Sequence, residues 1–300
     1  MFGFVLSKTL LIILVELGLA LKLKFFLIFA TPVAWSGYIL FVDYVNFKIT
    51  KKSTIFHSPL KFITMFFLSI IMWWMFEWFN IFISNWKYFN LTKSLTIRYI
   101  GYFWSFGTIL PALLFTAELF KNLKIFSQIK VFRLKVTDKL LAILFLIGLI
   151  FLFIPIIAFS SRFINLAADS KLFFWLPSIM PFSIRKYLAA FLWLSFIFIF
   201  DPILYLLNKN YSILAEFEKG KMEKFLSLII TGFLCGFLWE FWNFWAQTKW
   251  KYFVPILPEL KIFEMPILGY FGFPAFAIEM YLIYHFIRTL IDCRDGAKLY

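Results

Sequence analysis

Two stretches of the sequence place a carboxylate and an amide three residues apart within runs of tryptophan and phenylalanine. Glu77 and Asn80 lie in the first stretch, and Glu240 and Asn243 lie in the second. At 3.6 residues per helical turn, each pair falls on one face of a helix. Carboxyl groups in apolar helices are rare and serve as general acids, general bases or proton relays. We therefore expect these two faces to carry the chemistry of the protein.

Each of these faces continues along its helix as a stripe of small or polar residues. The stripes are Ser69, Trp73, Glu77, Asn80 and Ser84, and Gly232, Gly236, Glu240, Asn243 and Gln247. The two glycines are four residues apart, a spacing that lets a neighbouring helix backbone approach closely. We expect both stripes to face other helices and not lipid.

Two further glutamates, Glu118 and Glu279, occur in later apolar segments. A carboxylate at mid-membrane costs about 2.5–3.5 kcal/mol, so four charged and unpaired glutamates would cost on the order of 10 kcal/mol. We expect these groups to be neutral acids that hydrogen-bond to amide and indole groups. A neutral carboxylic acid in a dry cavity is a competent proton donor. The alternative is a structural role, with interhelical hydrogen bonds worth about 0.6–2 kcal/mol each.

The composition is that of a polytopic membrane protein. Hydrophobic residues make up 63% of the 300 residues and charged residues only 15%, whereas soluble domains are about half apolar and a quarter charged. The net charge of +14 comes from Lys and Arg between apolar runs, where these residues meet anionic lipid head groups. We therefore expect membrane lipids as partners and no nucleic acid. The two cysteines and two histidines lack metal-ligand spacing, so no cofactor or metal is predicted.

Apolar windows predict an all-α transmembrane bundle of seven or eight spans, because about twenty apolar residues are needed to cross the hydrocarbon. The windows are 4–21, 25–42, 60–84, 95–120, 139–160, 187–207, 225–246 and 263–290. The first is the weakest, since only three residues separate it from the second. With eight spans, eighteen of the 30 Lys and Arg lie on the side of both termini. We therefore expect a protein of the cytoplasmic (inner) membrane with cytoplasmic termini.

The sequence also indicates a tandem internal repeat, with halves at 1–138 and 139–300. The stretch "FEWFNIFISNWKYF" at 76–89 matches "WEFWNFWAQTKWKYF" at 239–253. Further matches are Trp35 with Trp193, Asp43 with Asp201, Gly101–Phe103 with Gly269–Phe271, Pro111 with Pro274, and Glu118 with Glu279. Equivalent spans lie four crossings apart, so the halves share one orientation about an axis along the membrane normal.

The last apolar window contains four helix-breaking residues within nine positions: Pro266, Gly269, Gly272 and Pro274. Irregular backbone at membrane depth is tolerated only against protein or a water-lined cavity. The segment from Glu264 to Glu279 is therefore the expected wall of a pocket. The candidate substrate-binding residues are Glu264, Trp239, Trp250, Tyr252, Tyr270 and Pro274.

Four aromatic residues, Trp86, Tyr88, Trp250 and Tyr252, follow the two stripes at the non-cytoplasmic ends of their spans. An interfacial aromatic belt places Trp and Tyr at this depth, and we favour that interpretation. A platform for a sugar or a lipid head group is the alternative.

The motifs "WEFWN", "KWKYFVP" and "FEMPILGYFGFP", followed by Glu279, resemble those of a bacterial family of polytopic membrane proteins. This resemblance covers most of the chain and implies no activity. A second, fainter resemblance is to heterodimer-type lycopene cyclases, in which Gly-x-Pro precedes an acidic pair. Here Gly272-Phe273-Pro274 is followed, five positions later, by the single acid Glu279.

These patterns favour a membrane-embedded enzyme that acts on a lipid or isoprenoid by acid–base chemistry. The candidate catalytic residues are Glu240, Glu279, Asn243, Glu77, Asn80 and Glu118. A proton-coupled carrier of a small solute that uses the same acids is the first alternative, and a membrane scaffold or assembly factor is the second. The sequence lacks the Walker, GxSxG and HExxH motifs of nucleotide hydrolases, serine hydrolases and zinc proteases.

Overall fold

The structure is a computed structural model that describes residues 2–168 and 187–294, with the side chains of residues 10–157 and 187–292. In chain order its elements are α1 (Phe2–Ala20), α2 (Lys24–Thr50), α3 (Thr54–His57), α4 (Pro59–Ile83), β1 (Trp86–Phe89), α5 (Leu95–Asn122), α6 (Asp138–Ala168), α7 (Ala189–Leu207), α8 (Leu214–Glu218), α9 (Glu223–Trp245), β2 (Lys249–Tyr252), β3 (Lys261–Ile262), β4 (Met265–Pro266), a 3₁₀ helix (Ile267–Phe271) and α10 (Gly272–Arg294). Helix α6 continues into the predicted loop at 162–186, of which residues 169–186 lie outside the described residues. The end of the predicted second half, 295–300, also lies outside them.

Seven described helices are long and apolar enough to cross a membrane, which confirms the multi-pass helical prediction at that level. They cover Lys24–Thr50, Pro59–Ile83, Leu95–Asn122, Asp138–Ile157, Ala189–Leu207, Glu223–Trp245 and Ile267–Asp292. The predicted first span corresponds to α1 (Phe2–Ala20), of which the part with described side chains, Leu10–Ala20, is apolar. The bundle is layered, since 61% of the apolar window in α5 is buried but only 17% of that in α6. Helix α5 is therefore central, and α6 presents most of its apolar surface to lipid.

Helix packing follows the same order in the two parts of the chain. Helix α2 packs against α1 and α5, and α4 packs against α5. In the second part, α7 packs against α6 and α10, and α9 packs against α10. The main contact between the two parts joins α5 to α9. The first polar stripe faces α5 through Ser69, and the second faces α10 through Gly232.

Two short strands join the parts at one end of the bundle. Strands β1 and β2 pair antiparallel, with Trp86 opposite Tyr252, Lys87 opposite Lys251 and Tyr88 opposite Trp250. The pairing is symmetric about Lys87 and Lys251, because each strand contributes the same Trp-Lys-Tyr sequence. It places the chain segments that follow Glu77 and Glu240 side by side.

Two buried aspartates fix the turns at the other end of the bundle. Asp43 accepts hydrogen bonds from the Ser53 hydroxyl (2.5 Å) and the Thr54 N–H (2.8 Å), ahead of α3. Asp201 accepts from the N–H groups of Ile213 (2.8 Å) and Leu214 (3.0 Å), ahead of α8. Each aspartate binds the first free N–H groups of a short helix, which explains its burial.

The break predicted in the last apolar window takes the form of a β3–β4 hairpin and a 3₁₀ turn before α10. Pro274 lies in the first turn of α10, where proline is tolerated because its missing N–H would be unpaired. Close approach of the start of α10 explains why α9 has a glycine at this point. A Cβ atom at Gly232 would lie 2.4 Å from Pro274 Cα and 2.5 Å from Phe273 O.

We expect Gly232→Ala to destabilise the protein by about 1–3 kcal/mol, because the added methyl group forces α9 and α10 apart. Thermal unfolding of the purified protein in detergent measures this effect. Gly272→Ala is the matched control, since a Cβ atom there meets nothing within 4 Å. Equal unfolding temperatures for the two variants would contradict the close helix contact.

Candidate functional site

A cavity of about 150 Å³ lies between the two parts of the bundle, next to the β1–β2 pair. At about 10–15 Å³ per water, it has room for roughly ten waters or a ligand group of lipid head-group size. The aromatic residues that line it are Trp73, Trp86, Trp193, Trp239, Trp250, Tyr88, Tyr102, Tyr252, Phe106, Phe273 and Phe276. Five indoles around one cavity form a wall that is apolar and rich in π faces.

Glu77 anchors the first side of this wall. Its Oε1 accepts hydrogen bonds from Trp73 Nε1 (2.9 Å), Trp86 Nε1 (3.0 Å) and the Tyr88 hydroxyl (2.5 Å). Three donors on one oxygen suit an acceptor-only carboxylate. Burial and the neighbouring Glu77 raise the pKa of Tyr88 well above its usual value, so the phenol remains a hydrogen-bond donor.

Glu240 anchors the second side and is fully buried. Its Oε1 accepts a hydrogen bond from Trp250 Nε1 at 3.2 Å, while its Oε2 has no hydrogen-bond partner in the described part of the chain. Glu264 lies within electrostatic reach of Glu240 and forms ion pairs with Lys249 (3.4 Å) and Lys251 (3.5 Å). Glu240 therefore resembles Glu77 in its indole bond but keeps one oxygen free.

The two asparagines position the tryptophans instead of facing the cavity. Asn243 Nδ2 donates to Trp250 O (2.8 Å), and its Oδ1 accepts from Trp250 N–H (2.9 Å). Asn80 makes the same two bonds to Trp86, at 2.9 and 3.2 Å. Each amide thus closes the turn after its helix and holds the following indole over the glutamate one turn earlier.

Glu77 and Glu240 each bond to tryptophans that line the cavity, whereas Glu279 lies elsewhere. Tyr252 is within electrostatic reach of both Glu77 and Glu240. Helices α9 and α10 run antiparallel, with Gly232 against Pro274. At 1.5 Å per residue, Glu240 lies about 12 Å from this contact in one direction and Glu279 about 7.5 Å in the other. The structure therefore does not bring Glu240 and Glu279 into one pocket.

Glu279 is fully buried, and neither of its oxygens has a hydrogen-bond partner among the described residues. Glu118 is exposed near the end of α5. Neither residue lines the cavity. Glu118 and Glu279, which the sequence repeat matched to each other, therefore lie in different environments, one exposed and one fully buried.

The predicted binding residues divide between the cavity and its surroundings. Trp239, Trp250 and Tyr252 line the cavity. Tyr270 donates to Ile262 O (3.1 Å) within the turn before α10, and Pro274 is buried against Gly232. The predicted wall contributes Met265, Gly269, Gly272, Phe273 and Phe276 to the cavity lining.

Two cations at the cavity were not among the predicted site residues. Arg98 donates through Nε (3.2 Å) and Nη2 (2.7 Å) to Thr92 O and forms no ion pair in the described part of the chain. Lys249 also lines the cavity but is paired with Glu264. Arg98 lies in the first turn of an apolar span and Lys249 lies just beyond the end of one. Cations at span ends are common, so this position did not single them out.

No group of three His, Cys, Asp or Glu that could hold a metal ion occurs in the described ranges 2–168 and 187–294. No family model, curated protein or solved structure matches the chain.

Proposed function

We propose that this integral membrane protein binds the polar end of a lipid or isoprenoid in the aromatic cavity. The observation that carries the proposal is the combination of five indoles with two indole-bonded glutamates around a space of about 150 Å³. An aromatic, mostly apolar lining with a few fixed polar groups is typical of small-ligand sites.

Binding is favoured over direct acid–base chemistry because the glutamates lie behind the aromatic wall. Glu77 and Glu240 do not line the cavity, whereas the Trp73, Trp86 and Trp250 side chains bonded to them do. Tyr88 lines the cavity and bonds to Glu77, but a phenol with a raised pKa is a weak proton donor at neutral pH.

Gly272→Leu tests this proposal by filling the cavity. Gly272 lines the cavity, and a Cβ atom there meets nothing within 4 Å, so a side chain can be added at this position without a clash at its Cβ atom. We expect an unfolding temperature within a few degrees of wild type and at least a tenfold loss of co-purified lipid, which would correspond to about 1.4 kcal/mol. Mass spectrometry of lipids extracted from the purified proteins measures the loss.

Phe271→Leu is the matched control, because Phe271 is the preceding residue and is 64% exposed on the outer surface. It should retain the co-purified lipid. A Gly272→Leu protein that is folded and carries the wild-type amount of the same lipid would refute the proposal.

A second candidate function is an enzyme that acts on a lipid or isoprenoid, favoured by the buried and unpaired Glu240 Oε2. A free oxygen is available to exchange a proton with a substrate once Trp250 moves. This candidate predicts that Glu240→Gln retains bound lipid but changes the lipid profile of cells to that of a deletion strain. Unchanged lipid extracts in both strains would exclude it.

We also propose that the chain arose by duplication of four-helix halves at 1–138 and 139–300. Support comes from the shared Asn-to-Trp turns, the symmetric β1–β2 pair and a reciprocal ring contact. Trp35 of the first half packs against Trp239 of the second, with ring centroids 4.8 Å apart. The equivalent residues, Trp193 of the second half and Phe76 of the first, pack against each other at 5.3 Å. Ser69 donates a hydrogen bond to Phe106 O, and Gly232, its counterpart in the second half, faces Phe273 O. If Phe106 is therefore aligned with Phe273, the residue equivalent to Glu279 in the first half is Ala112 and not Glu118.

We further propose that the protein lies in the cytoplasmic membrane with both termini in the cytoplasm. The excess of Lys and Arg on the terminal side supports this orientation. In this orientation α1 crosses the membrane, and the cavity with its β1–β2 pair lies towards the non-cytoplasmic surface. A reporter fused at each terminus distinguishes this topology from one in which α1 lies along the surface.

A further inference from the structure

We infer that the ligand of the cavity carries a zwitterionic head group, with a phosphate at Arg98 and an ammonium or quaternary ammonium among the indoles. The inference rests on the proposed function and names the chemical class of the bound lipid. The inference is based on the aromatic and charged groups on two sides of the cavity lining.

The deep side of the cavity suits a cation. Trp73, Trp86 and Trp250 line it, and their ring N–H groups donate to half-buried Glu77 or to fully buried Glu240. Tryptophan faces attract cations most strongly among aromatic rings. Glu77 accepts three hydrogen bonds on one oxygen, which favours its ionised form, and an ionised Glu77 attracts a cation across the Trp73 and Trp86 rings.

The outer side suits an anion. Arg98 lines the cavity, and its hydrogen bonds within the described part of the chain go to the carbonyl of Thr92, which neutralises no charge. No carboxylate lies within ion-pair distance of it in the described part of the chain. A guanidinium with free N–H groups is well suited to bind phosphate oxygens.

The two sides are close enough for one head group to contact both. Tyr102 lines the cavity and is within electrostatic reach of both Arg98 and Glu77. An ionised Glu77 would repel a purely anionic head group, and Arg98 would repel a purely cationic one. A phosphate linked by a short chain to an ammonium satisfies both sides in one orientation.

Three single-chain amphiphiles with the same dodecyl tail test this inference: dodecylphosphocholine, dodecyl phosphate and dodecyltrimethylammonium. Each is titrated into the full-length protein in a neutral maltoside detergent, and intrinsic tryptophan fluorescence reports binding. We expect dodecylphosphocholine to bind at least about tenfold more tightly than either singly charged amphiphile. Arg98→Gln should remove this preference over dodecyltrimethylammonium, and Arg98→Lys should restore part of it.

Glu77→Gln should selectively weaken binding of the two amphiphiles that carry the quaternary ammonium. Equal or tighter binding of dodecyl phosphate, or a preference that Arg98→Gln leaves intact, would overturn the inference. If none of the three binds while Gly272→Leu still removes the co-purified lipid, the head-group assignment is wrong and the cavity proposal stands. If Gly272→Leu has no effect either, the cavity proposal fails.

Discussion

Replacing Glu77 with leucine is expected to unfold or severely destabilise the outer end of the bundle. The substitution removes the one acceptor shared by the ring N–H groups of Trp73 and Trp86 and the Tyr88 hydroxyl. A buried donor that loses its partner costs about 1–3 kcal/mol, so three donors together cost about 3–9 kcal/mol. That range is comparable to the whole stability of a typical protein. Folded yield and thermal unfolding in detergent measure the effect.

Two further variants show whether the loss comes from the shared acceptor. Glu77→Gln keeps one carbonyl oxygen in place and should lose less stability than Glu77→Leu. Glu259→Leu removes an exposed glutamate from the loop before β3 and should change stability by less than about 0.5 kcal/mol. If Glu77→Leu and Glu259→Leu unfolded at the same temperature, the three hydrogen bonds to Glu77 would not hold the aromatic wall.

The spans were predictable because bilayer thickness fixes their length. The windows 60–84 and 225–246 differ from the structural helices Pro59–Ile83 and Glu223–Trp245 by at most two residues at either end. The break near Pro266 was predictable as well, since proline and glycine oppose a continuous helix. The first window, 4–21, also corresponds to a helix, since α1 runs from Phe2 to Ala20.

The partner of each glutamate was not predictable from the sequence. Glu240 and Glu279 share a half of the chain and are both scarce acids, so sequence reasoning placed them together. Helices α9 and α10 are antiparallel and touch at Gly232 and Pro274. Glu240 and Glu279 both follow this contact in the chain, so they lie on opposite sides of it along the helix axes. Long-range pairing of β1 with β2 instead brings Glu77 near Glu240. No local pattern contains either of these tertiary contacts.

The position of Arg98 in the cavity lining also could not be predicted from the sequence. Its neighbours in the sequence are exposed, as expected for the first turn of a span next to the membrane surface. Its place in the cavity lining depends on the packing of α5 against α9, a contact between the two parts of the chain. By contrast, the duplicated Glu-x-x-Asn spacing was visible because acids and amides are scarce in an apolar chain.

Replacing Glu279 with methionine is expected to raise the stability of the protein. Glu279 is fully buried, and both of its oxygens lack a hydrogen-bond partner among the described residues. Burial of a polar group without a partner costs about 1–3 kcal/mol in proteins, and methionine of similar volume removes this cost. We expect a gain of that size in thermal unfolding, accompanied by a changed lipid profile if the carboxyl group acts on a ligand.

Glu279→Gln separates polarity from charge, because the amide retains unpaired polar atoms and should give no gain. Leu282→Met is the matched apolar control at a fully buried position one turn further along α10, and it should change stability by less than about 1.5 kcal/mol. Loss of stability in Glu279→Met alone would mean that the carboxyl group has a bound partner in the folded protein. If Glu279→Met is more stable than wild type and cells that carry it have a changed lipid profile, Glu279 is retained for function at a cost to stability.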